Sequence, residues 1–407
     1  MSRGKTVRAV LVGGPMYDGL YDSIPEFERE SGLRVEVVAK LPHPELNAWV
    51  KREFTAGDPG VDLLSTHTKY APSQAQWLAP LDGVVDGALA GDLLPGPAEL
   101  SRLDGRWVQV PRNLDMRLLY YRRDLFEDRA ARDTFVRSHR RDLRVPETWD
   151  ELVEVAIYLT REGLYGFLFP GRDSGLFGTF YEMLAGAGGE LFTPDLHPAF
   201  DSPAGVWAAD RLAELHYRRG VTPAALTQWH YDEISASFRR GEAAMVCDWP
   251  GGHYLYMDAR TCKAAGRVGV ALLPAGFTGR RAAYGGCHSF AIARSAGNRE
   301  GAAALLRFFT SVEAQKGEAR RGAVPVRRSA LDAVRAEAGG DEARRWALLA
   351  QTMADALIIP PRFAAYPACE DAIWRSLQKA LVGQLTPAAA VKEAAAEIAR
   401  VVAGARA

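Results

Sequence analysis

The two side chains best suited to covalent chemistry are neighbours in the chain. Cys287 and His288 could act as a nucleophile and its base, which would make the protein a hydrolase. Adjacency in sequence does not aim one side chain at the other, and the signatures GxSxG, HExxH and GxxxxGK[ST] do not occur. We therefore predict that the protein does not alter what it binds, and keep a hydrolase built around Cys287-His288 as an alternative.

The four cysteines give no metal signature. Cys247, Cys262, Cys287 and Cys369 include no CxxC pair, and no histidine lies at zinc-finger spacing from them. A structural zinc site needs such spacings, so we expect no metal. Four separate buried thiols and two disulfides both fit the wide spacing.

Polar and aromatic residues follow the first and third predicted strands. Ligands of α/β sheets bind beyond the carboxyl ends of the strands, so residues 14–18 and 66–70 are candidates for ligand contact. These segments place aromatic rings beside short polar side chains, a combination typical of small-molecule sites.

The opening of the chain predicts the elements that position these residues. An apolar strand at 7–12 leads into a helix at 24–30, with Ser23 as its N-cap, and a second strand begins at Val35. This is a βαβ unit, so the sheet should be largely parallel, with a third strand at 61–64.

Later segments continue the α/β alternation. Helix starts are indicated at Thr148, with Glu151 at capping-box spacing, and at Ser202 and Thr386, each followed by proline. Short apolar strands are predicted at 243–247, 268–273 and 289–293.

Size and charge restrict the class of protein. A chain of 407 residues exceeds one ordinary core, so two lobes are expected. Fifty basic residues balance fifty acidic ones, which gives no electrostatic reason to expect nucleic acid as a partner. No apolar segment approaches the ~20 residues that span a bilayer, and no signal peptide is recognisable.

A series of sequence blocks carries a resemblance along nearly the whole chain. The more specific blocks are VPETWDELVEVAIYL from Val145, FRRGEAAMVCDWPGG from Phe238 and GGCHSFAIARSAGNREGAAALLRFFTSVEAQ from Gly285. In this order they resemble the extracellular solute-binding proteins of family 1, the sugar-binding components of ABC importers that include maltose-binding protein.

The resemblance implies a larger, class II periplasmic-binding-protein-like α/β fold with two lobes, a ligand held between them, and hinge closure. It also implies that the protein has no cofactor. We expect residues 1–111 and 286–330 in the N-terminal lobe and 115–283 and 331–407 in the C-terminal lobe. The hinge segments are expected near 111–116, 283–287 and 325–335.

The resemblance also suggests which residues contact the ligand. They follow strands or lie at crossings between lobes: Pro15, Met16, Tyr17, Thr66, His67, Lys69, Arg112, Asn113, Asp115, Arg172, Asp248, Trp249, Gly251, Tyr284, Gly285, Gly286, Arg362 and Tyr366. Tyr17 and Arg172 have a solvent-exposed alternative, Arg112 a hinge salt bridge, and Trp249 packing beneath its loop. Tyr366 is the expected aromatic platform of the last loop.

The ligand, partner and location follow from the same resemblance. We expect a monomer that binds a mono- or oligosaccharide and delivers it to an ABC permease, at a periplasmic or extracellular, membrane-associated location. Lys69, Arg112, Arg172 and Arg362 make an anionic sugar an alternative to a neutral one. A solute-sensing receptor is a further alternative. Export would allow disulfides, with Cys247–Cys262 as the first pair and Cys287–Cys369 as the second.

Overall fold

The computed structural model describes residues 5–406, which form two compact units. The first unit comprises the described residues up to Asp115 together with Gly286–Ala343 and Pro361–Tyr366. The second comprises Met116–Gly285, Arg344–Pro360 and the described residues from Pro367 onward. The sequence prediction places all of 331–407 in the second lobe, whereas 331–343 and 361–366 cluster with the first unit. Residues 331–343 belong there because helix α16 (Arg328–Glu337) packs on helix α15 (Val312–Ala319).

The sheet of the first unit is built from parallel strands at the start of the chain. Strands β1 (Thr6–Val12), β2 (Arg34–Leu41) and β3 (Leu63–His67) are parallel, with β1 between the other two. The distal part of β11 (Ala283–Ile292) runs antiparallel to β3. The predicted βαβ start is confirmed, and β1 is buried almost throughout because helices cover both faces of such a sheet.

The remaining elements of the first unit are mostly short. Its helices, besides α15 and α16, are α1 (Asp18–Asp22), α2 (Ile24–Ser31), α3 (His43–Ala56), α4 (Ala71–Gln74), α5 (Gly87–Asp92), α6 (Pro95–Leu100) and α14 (Arg299–Phe309). Its short strands are β4 (Arg102–Leu103) and β5 (Arg106–Trp107), and β6 (Val110–Met116) leads out of the unit.

The sheet of the second unit is mixed. Its order is β10 (Val268–Ala271), β7 (Leu118–Arg122), β9 (Ala243–Asp248) and β8 (Tyr165–Leu168). Strand β7 is antiparallel to both its neighbours, and β8 is parallel to β9. The two-residue strand β12 (Leu357–Ile358) pairs with the first residues of β11.

Helices surround this second sheet. They are α7 (Arg123–Glu127), α8 (Arg129–His139), α9 (Trp149–Leu159), α10 (Asp173–Gly186), α11 (Pro203–Ala213), α12 (Tyr231–Arg239), α13 (Gly252–Met257), α17 (Gly340–Asp355), α18 (Tyr366–Leu381) and α19 (Pro387–Arg406). The predicted caps Thr148 and Ser202 accept hydrogen bonds from the backbone of Glu151 and Gly205. Within residues 5–406, no helix is long and apolar enough to cross a bilayer.

Three local predictions differ from the structure. Ser23 does not cap α2 with its side chain, because its hydroxyl donates to the carbonyl of Leu20 instead. Thr66 and His67 do not follow β3 but are its last two residues. Gly285 and Gly286 lie inside the ten-residue strand β11, which the sequence predicted to begin at Ser289.

Candidate functional site

Three histidine rings meet at the carboxyl ends of the parallel strands in the first unit. His43 begins α3 directly after β2, His67 ends β3, and His288 lies opposite His67 in the β3–β11 ladder. The ring centroids are 4.8 Å apart for His43 and His288, 5.3 Å for His67 and His288, and 5.4 Å for His43 and His67. All three pairs are edge-to-face, which packs the rings closely.

Two of these imidazoles are held neutral by their surroundings. Burial lowers the pKa of His67 well below its usual value, and repulsion between two protonated rings at His67 and His288, with the charge of Lys69, adds to this. Burial, followed by the charges of Arg112 and Lys69, lowers the pKa of His288 to about 3. A neutral imidazole has one donor and one acceptor nitrogen. Because Nδ1 of His67 accepts the backbone N–H of Lys69 at 3.2 Å, its Nε2 carries the hydrogen and is a donor.

Tyr17 and Asp115 extend this histidine set. The Tyr17 hydroxyl lies 3.0 Å from Nε2 of His288, and Oδ2 of Asp115 lies 3.5 Å from the same nitrogen. Burial raises the pKa of Asp115 to about 7, although the charge of Arg112 and a 2.7 Å hydrogen bond from Asn113 oppose this. Near neutral pH the carboxyl group is therefore present in both protonation states.

The four cations proposed for an anionic ligand are engaged within their own units. Arg112 forms a buried pair with Glu318, with Nη2 2.8 Å from Oε1. Arg362 donates to the backbone carbonyls of Thr68 at 3.0 Å and Arg102 at 3.1 Å. The ammonium group of Lys69 is buried 4.9 Å from the centroid of the Tyr70 ring. In the second unit, Arg172 pairs with Asp173 at 3.4 Å.

Other predicted residues of the first unit have mainly structural roles. Pro15 and Met16 lead to Tyr17 in a 3-10 turn after β1, in which Pro15 is exposed. Thr66 is buried and donates its hydroxyl to Oε1 of Gln74 at 2.6 Å. Tyr366 is completely buried at the start of α18, with its ring centroid 6.0 Å from that of Phe363. Such a ring is a packing residue, so the structure does not present Tyr366 as an open platform.

An aromatic set lies in the second unit. The ring of Trp249, directly after β9, is 5.1 Å from Tyr231 on α12 and 5.8 Å from Tyr284 on β11. Tyr231 and Tyr284 are buried, whereas Trp249 is partly exposed. Trp249 is thus the member of this set that a solute can reach, and the two tyrosines support it from beneath.

Asp248 is a structural acid rather than a solvent-facing one. It accepts hydrogen bonds from the Tyr256 hydroxyl and, at 2.8 Å, from the backbone N–H of Trp249. Burial raises its pKa to about 7, although both hydrogen bonds oppose the shift. Together these contacts hold the 249–251 loop, in which Gly251 precedes helix α13.

The disulfide prediction is corrected by the structure. All four cysteines are free and buried. Cys247 points from the central strand β9 toward Glu182, with its sulfur 3.9 Å from Oε2, and not toward Cys262. Cys287 lies in the first unit and Cys369 in the second, each as a buried thiol.

The Cys287-His288 alternative gains no support from the geometry. Burial raises the pKa of the Cys287 thiol well above its usual value, so the nucleophilic thiolate is disfavoured. Nε2 of His288 is occupied by Tyr17 and Asp115, and successive residues of a strand point to opposite faces.

Sequence reasoning missed several residues of these sets. His43 was detectable, since Pro42-His43-Pro44 follows the second parallel strand just as His67 ends the third. Arg117 interrupts an apolar run before β7, which signals a buried charge, but its partners Glu182 and Tyr231 are distant in sequence. Among the described residues, no group of three or more His, Cys, Asp or Glu side chains is arranged to hold a metal ion.

Comparisons with known proteins agree with these observations. Residues 13–316 match the model of the bacterial extracellular solute-binding protein family. A Brucella abortus (strain 2308) protein described as a binding protein is 26% identical over 86% of this chain and 87% of its own length. The mannitol-binding protein of Pseudomonas aeruginosa is 28% identical over 58% of this chain and 52% of its own length.

Two solved structures share both fold and sequence with this chain. The maltose-bound MalE3 of T. maritima has a TM-score of 0.86 and 29% identity, covering 97% of this chain and 100% of the other. A solute-binding protein of an ABC transporter from Thermotoga lettingae, bound with α-D-tagatose, has a TM-score of 0.85 and 25% identity, covering 98% and 100%. Both are two-lobed α/β binding proteins, which is the fold class that the sequence predicted.

Proposed function

We propose that this chain, which belongs to the family of bacterial extracellular solute-binding proteins, binds a neutral sugar or sugar alcohol and delivers it unchanged to the permease of an ABC importer. The location that fits this role is the periplasm or the outer face of the membrane. We further propose that the protein acts as a monomer and that bound solute favours one arrangement of its two lobes, because it binds that arrangement more tightly.

The observation that carries the proposal is the pair of buried, neutral imidazoles at the carboxyl ends of the parallel strands. His67 and His288, with the Tyr17 hydroxyl, offer donors and acceptors without net charge, which suits vicinal hydroxyl groups. The partly exposed ring of Trp249 offers the apolar surface that a sugar also needs. Relatives bound to maltose and to tagatose support the same class of solute.

The charges of the chain favour a neutral solute over an anionic one. Arg112 is matched by Glu318, and Arg172 by Asp173. Arg362 uses its guanidinium on two backbone carbonyls, and the buried ammonium group of Lys69 lies over the Tyr70 ring. An anionic solute would need a cation whose charge is not already neutralised or committed, since a buried anion is stable only when it is paired.

We also propose that the solute is transported without being altered chemically. The raised pKa of Cys287 disfavours the thiolate, so the one nucleophile–base pair suggested by the sequence is not activated. We expect every solute that binds to be recovered unaltered.

A thermal-shift screen across neutral sugars, sugar alcohols, uronic acids and sugar phosphates tests the proposal. A solute at 100 times its dissociation constant adds about 2.7 kcal/mol of stability. We expect maltose-like sugars or alditols to raise Tm, independently of salt, and Trp249→Ala to abolish the shift. Trp374→Ala is the matched control, because Trp374 is a half-buried tryptophan of the same unit, on helix α18. A Tm raised only by the anionic solutes, or recovery of a cleaved solute, would contradict the proposal.

A further inference from the structure

A completely buried ion pair lies under the aromatic set of the second unit. Arg117 and Glu182 have no solvent-exposed side-chain surface and form a two-point contact, with Nε of Arg117 2.8 Å from Oε1 and Nη2 against Oε2. The same guanidinium lies 5.9 Å from the centroid of the Trp249 ring and 6.0 Å from that of Tyr284. These distances are within the range of cation–π attraction.

Further contacts connect this pair to the three rings. Nη1 of Arg117 donates to the Thr179 hydroxyl at 3.1 Å and lies 3.5 Å from the Tyr231 hydroxyl. Glu182 accepts the backbone N–H of Tyr284 at 2.9 Å. A Cβ atom at Gly178 would lie 2.6 Å from the Tyr284 ring and 3.2 Å from Nη2 of Arg117, so helix α10 needs glycine there to approach both.

Glu182 also joins two chain segments that lead out of the unit. Arg117 is the second residue of the unit after the boundary at Asp115, and Tyr284 is the second-last residue before the boundary at Gly286. The backbone N–H of Arg117 donates to the carbonyl of Tyr284 at 3.3 Å, and Glu182 binds both residues.

Stability alone does not explain a buried ion pair. Apolar residues of similar volume often give equal or greater stability, because two charges must lose their hydration. The pair can instead fix orientation. A bidentate carboxylate sets the plane of the guanidinium, and the guanidinium in turn orients the aromatic rings that pack against it.

We propose that the Arg117–Glu182 pair is a positioning element for solute binding, which holds Trp249 in its binding orientation and ties the aromatic set to the two strands that leave the unit. The inference rests on the proposed function for the solute, but the orientation of Trp249 can be tested without any solute.

The first experiment measures the orientation of Trp249 in the absence of solute. The near-UV circular dichroism contributed by Trp249 is the difference between the wild type and Trp249→Phe, and the same difference is taken in a Glu182→Gln background. We expect the signal to fall by at least half. The control background is Leu212→Ala, a core truncation on α11 that lowers Tm without touching the pair. An unchanged signal with Glu182→Gln, or an equal loss with Leu212→Ala, would overturn the proposal.

The second experiment measures affinity by calorimetry with maltose or D-tagatose, using a probe that raises the Tm of the wild type. We expect Glu182→Gln to weaken binding at least tenfold and Leu212→Ala to change it less than twofold. Should Glu182→Gln not fold, Thr179→Val removes one hydrogen bond to Arg117 at constant shape and should weaken binding severalfold. Affinity within twofold of the wild type for the folded pair variant refutes the role in binding. Failure of every sugar to bind the wild type refutes the proposed function, while the dichroism result still decides the positioning.

Discussion

The guanidinium of Arg112 lies 2.8 Å from the carboxylate of Glu318, and both side chains are buried in the first unit. The pair joins strand β6 to helix α15, and its two residues are 206 positions apart in the sequence. Burial works to lower the pKa of Arg112, but the charge and hydrogen bond of Glu318, together with Tyr17 and Asp115, outweigh it and raise this pKa above its usual value. This partner also removes Arg112 from the cations available to an anionic solute.

Glu318→Gln should destabilise the first unit strongly. Removing one partner of a buried ion pair leaves an uncompensated charge and typically costs about 3–5 kcal/mol. Urea denaturation followed by tryptophan fluorescence measures the change. The matched control is Asp82→Asn in the same unit. The Asp82 carboxylate lies 3.2 Å from the guanidinium of Arg106, whose side chain is mostly exposed. Loss of such a surface pair should cost about 0–1 kcal/mol. Equal effects of the two variants would show that the buried pair has no special role.

Gly286→Ala should disturb the histidine set. A Cβ atom at Gly286 would lie 2.4 Å from Cε1 and 2.8 Å from Nε2 of His67. The ring cannot yield easily, because it packs against His43 and His288 and accepts the backbone N–H of Lys69 at 3.2 Å. Overpacking of this kind costs about 1–3 kcal/mol, and we expect solute affinity to fall together with stability.

Gly83→Ala is the control for this substitution. A Cβ atom at Gly83 would meet nothing within 4 Å, and its backbone is not in the left-handed region. Thermal unfolding and calorimetric titration of both variants give the comparison. If Gly286→Ala behaves like Gly83→Ala, the close approach of strand β11 to His67 is not a constraint on the fold.

The four thiols should not react with Ellman's reagent while the protein is folded. All are buried, and burial raises the pKa of Cys369 to about 12 and those of Cys247 and Cys287 well above the usual value. In urea, without reductant, four thiols should react, which matches the number of free cysteines. Two reactive thiols in urea would indicate one disulfide, and no reactive thiol would indicate two.

The order of elements was predictable from sequence because it depends on local patterns. The apolar run of β1 and the caps Thr148 and Ser202 each act within a few residues, and the structure has each of them. Strand ends were less predictable. Thr66 and His67 look polar enough for a loop, but β11 pairs with them and extends β3 to His67.

The pairing of buried charges was not predictable for a physical reason. Arg112 and Glu318 are separated by 206 residues, and Arg117 and Glu182 by 65 residues. No periodicity connects such positions, so only the folded chain shows that they meet. The sequence could indicate that Arg112 had either a ligand or a salt-bridge partner, and the structure identifies Glu318 as its partner.

Asp115 and His288 lie in contact, but they should change the stability of the protein with pH in opposite directions. The folded pKa of Asp115 is raised from 3.8 to about 7, so between these values the folded state keeps a proton that the unfolded state has released. Its contribution therefore decreases as the pH rises. The folded pKa of His288 is lowered from 6.5 to about 3, so its contribution increases with pH across that interval.

The two contributions oppose each other between about pH 4 and about pH 6.5, each with a slope of about 1.4 kcal/mol per pH unit. In the wild type they largely cancel. Asp115→Asn removes the falling contribution, so the free energy of unfolding should rise with pH more steeply than in the wild type. His288→Gln removes the rising contribution and should give a shallower or falling slope. Urea unfolding at several pH values across this interval measures all three proteins. Parallel curves would mean that neither group changes its pKa on folding, and a steeper rise for His288→Gln would reverse the assigned signs.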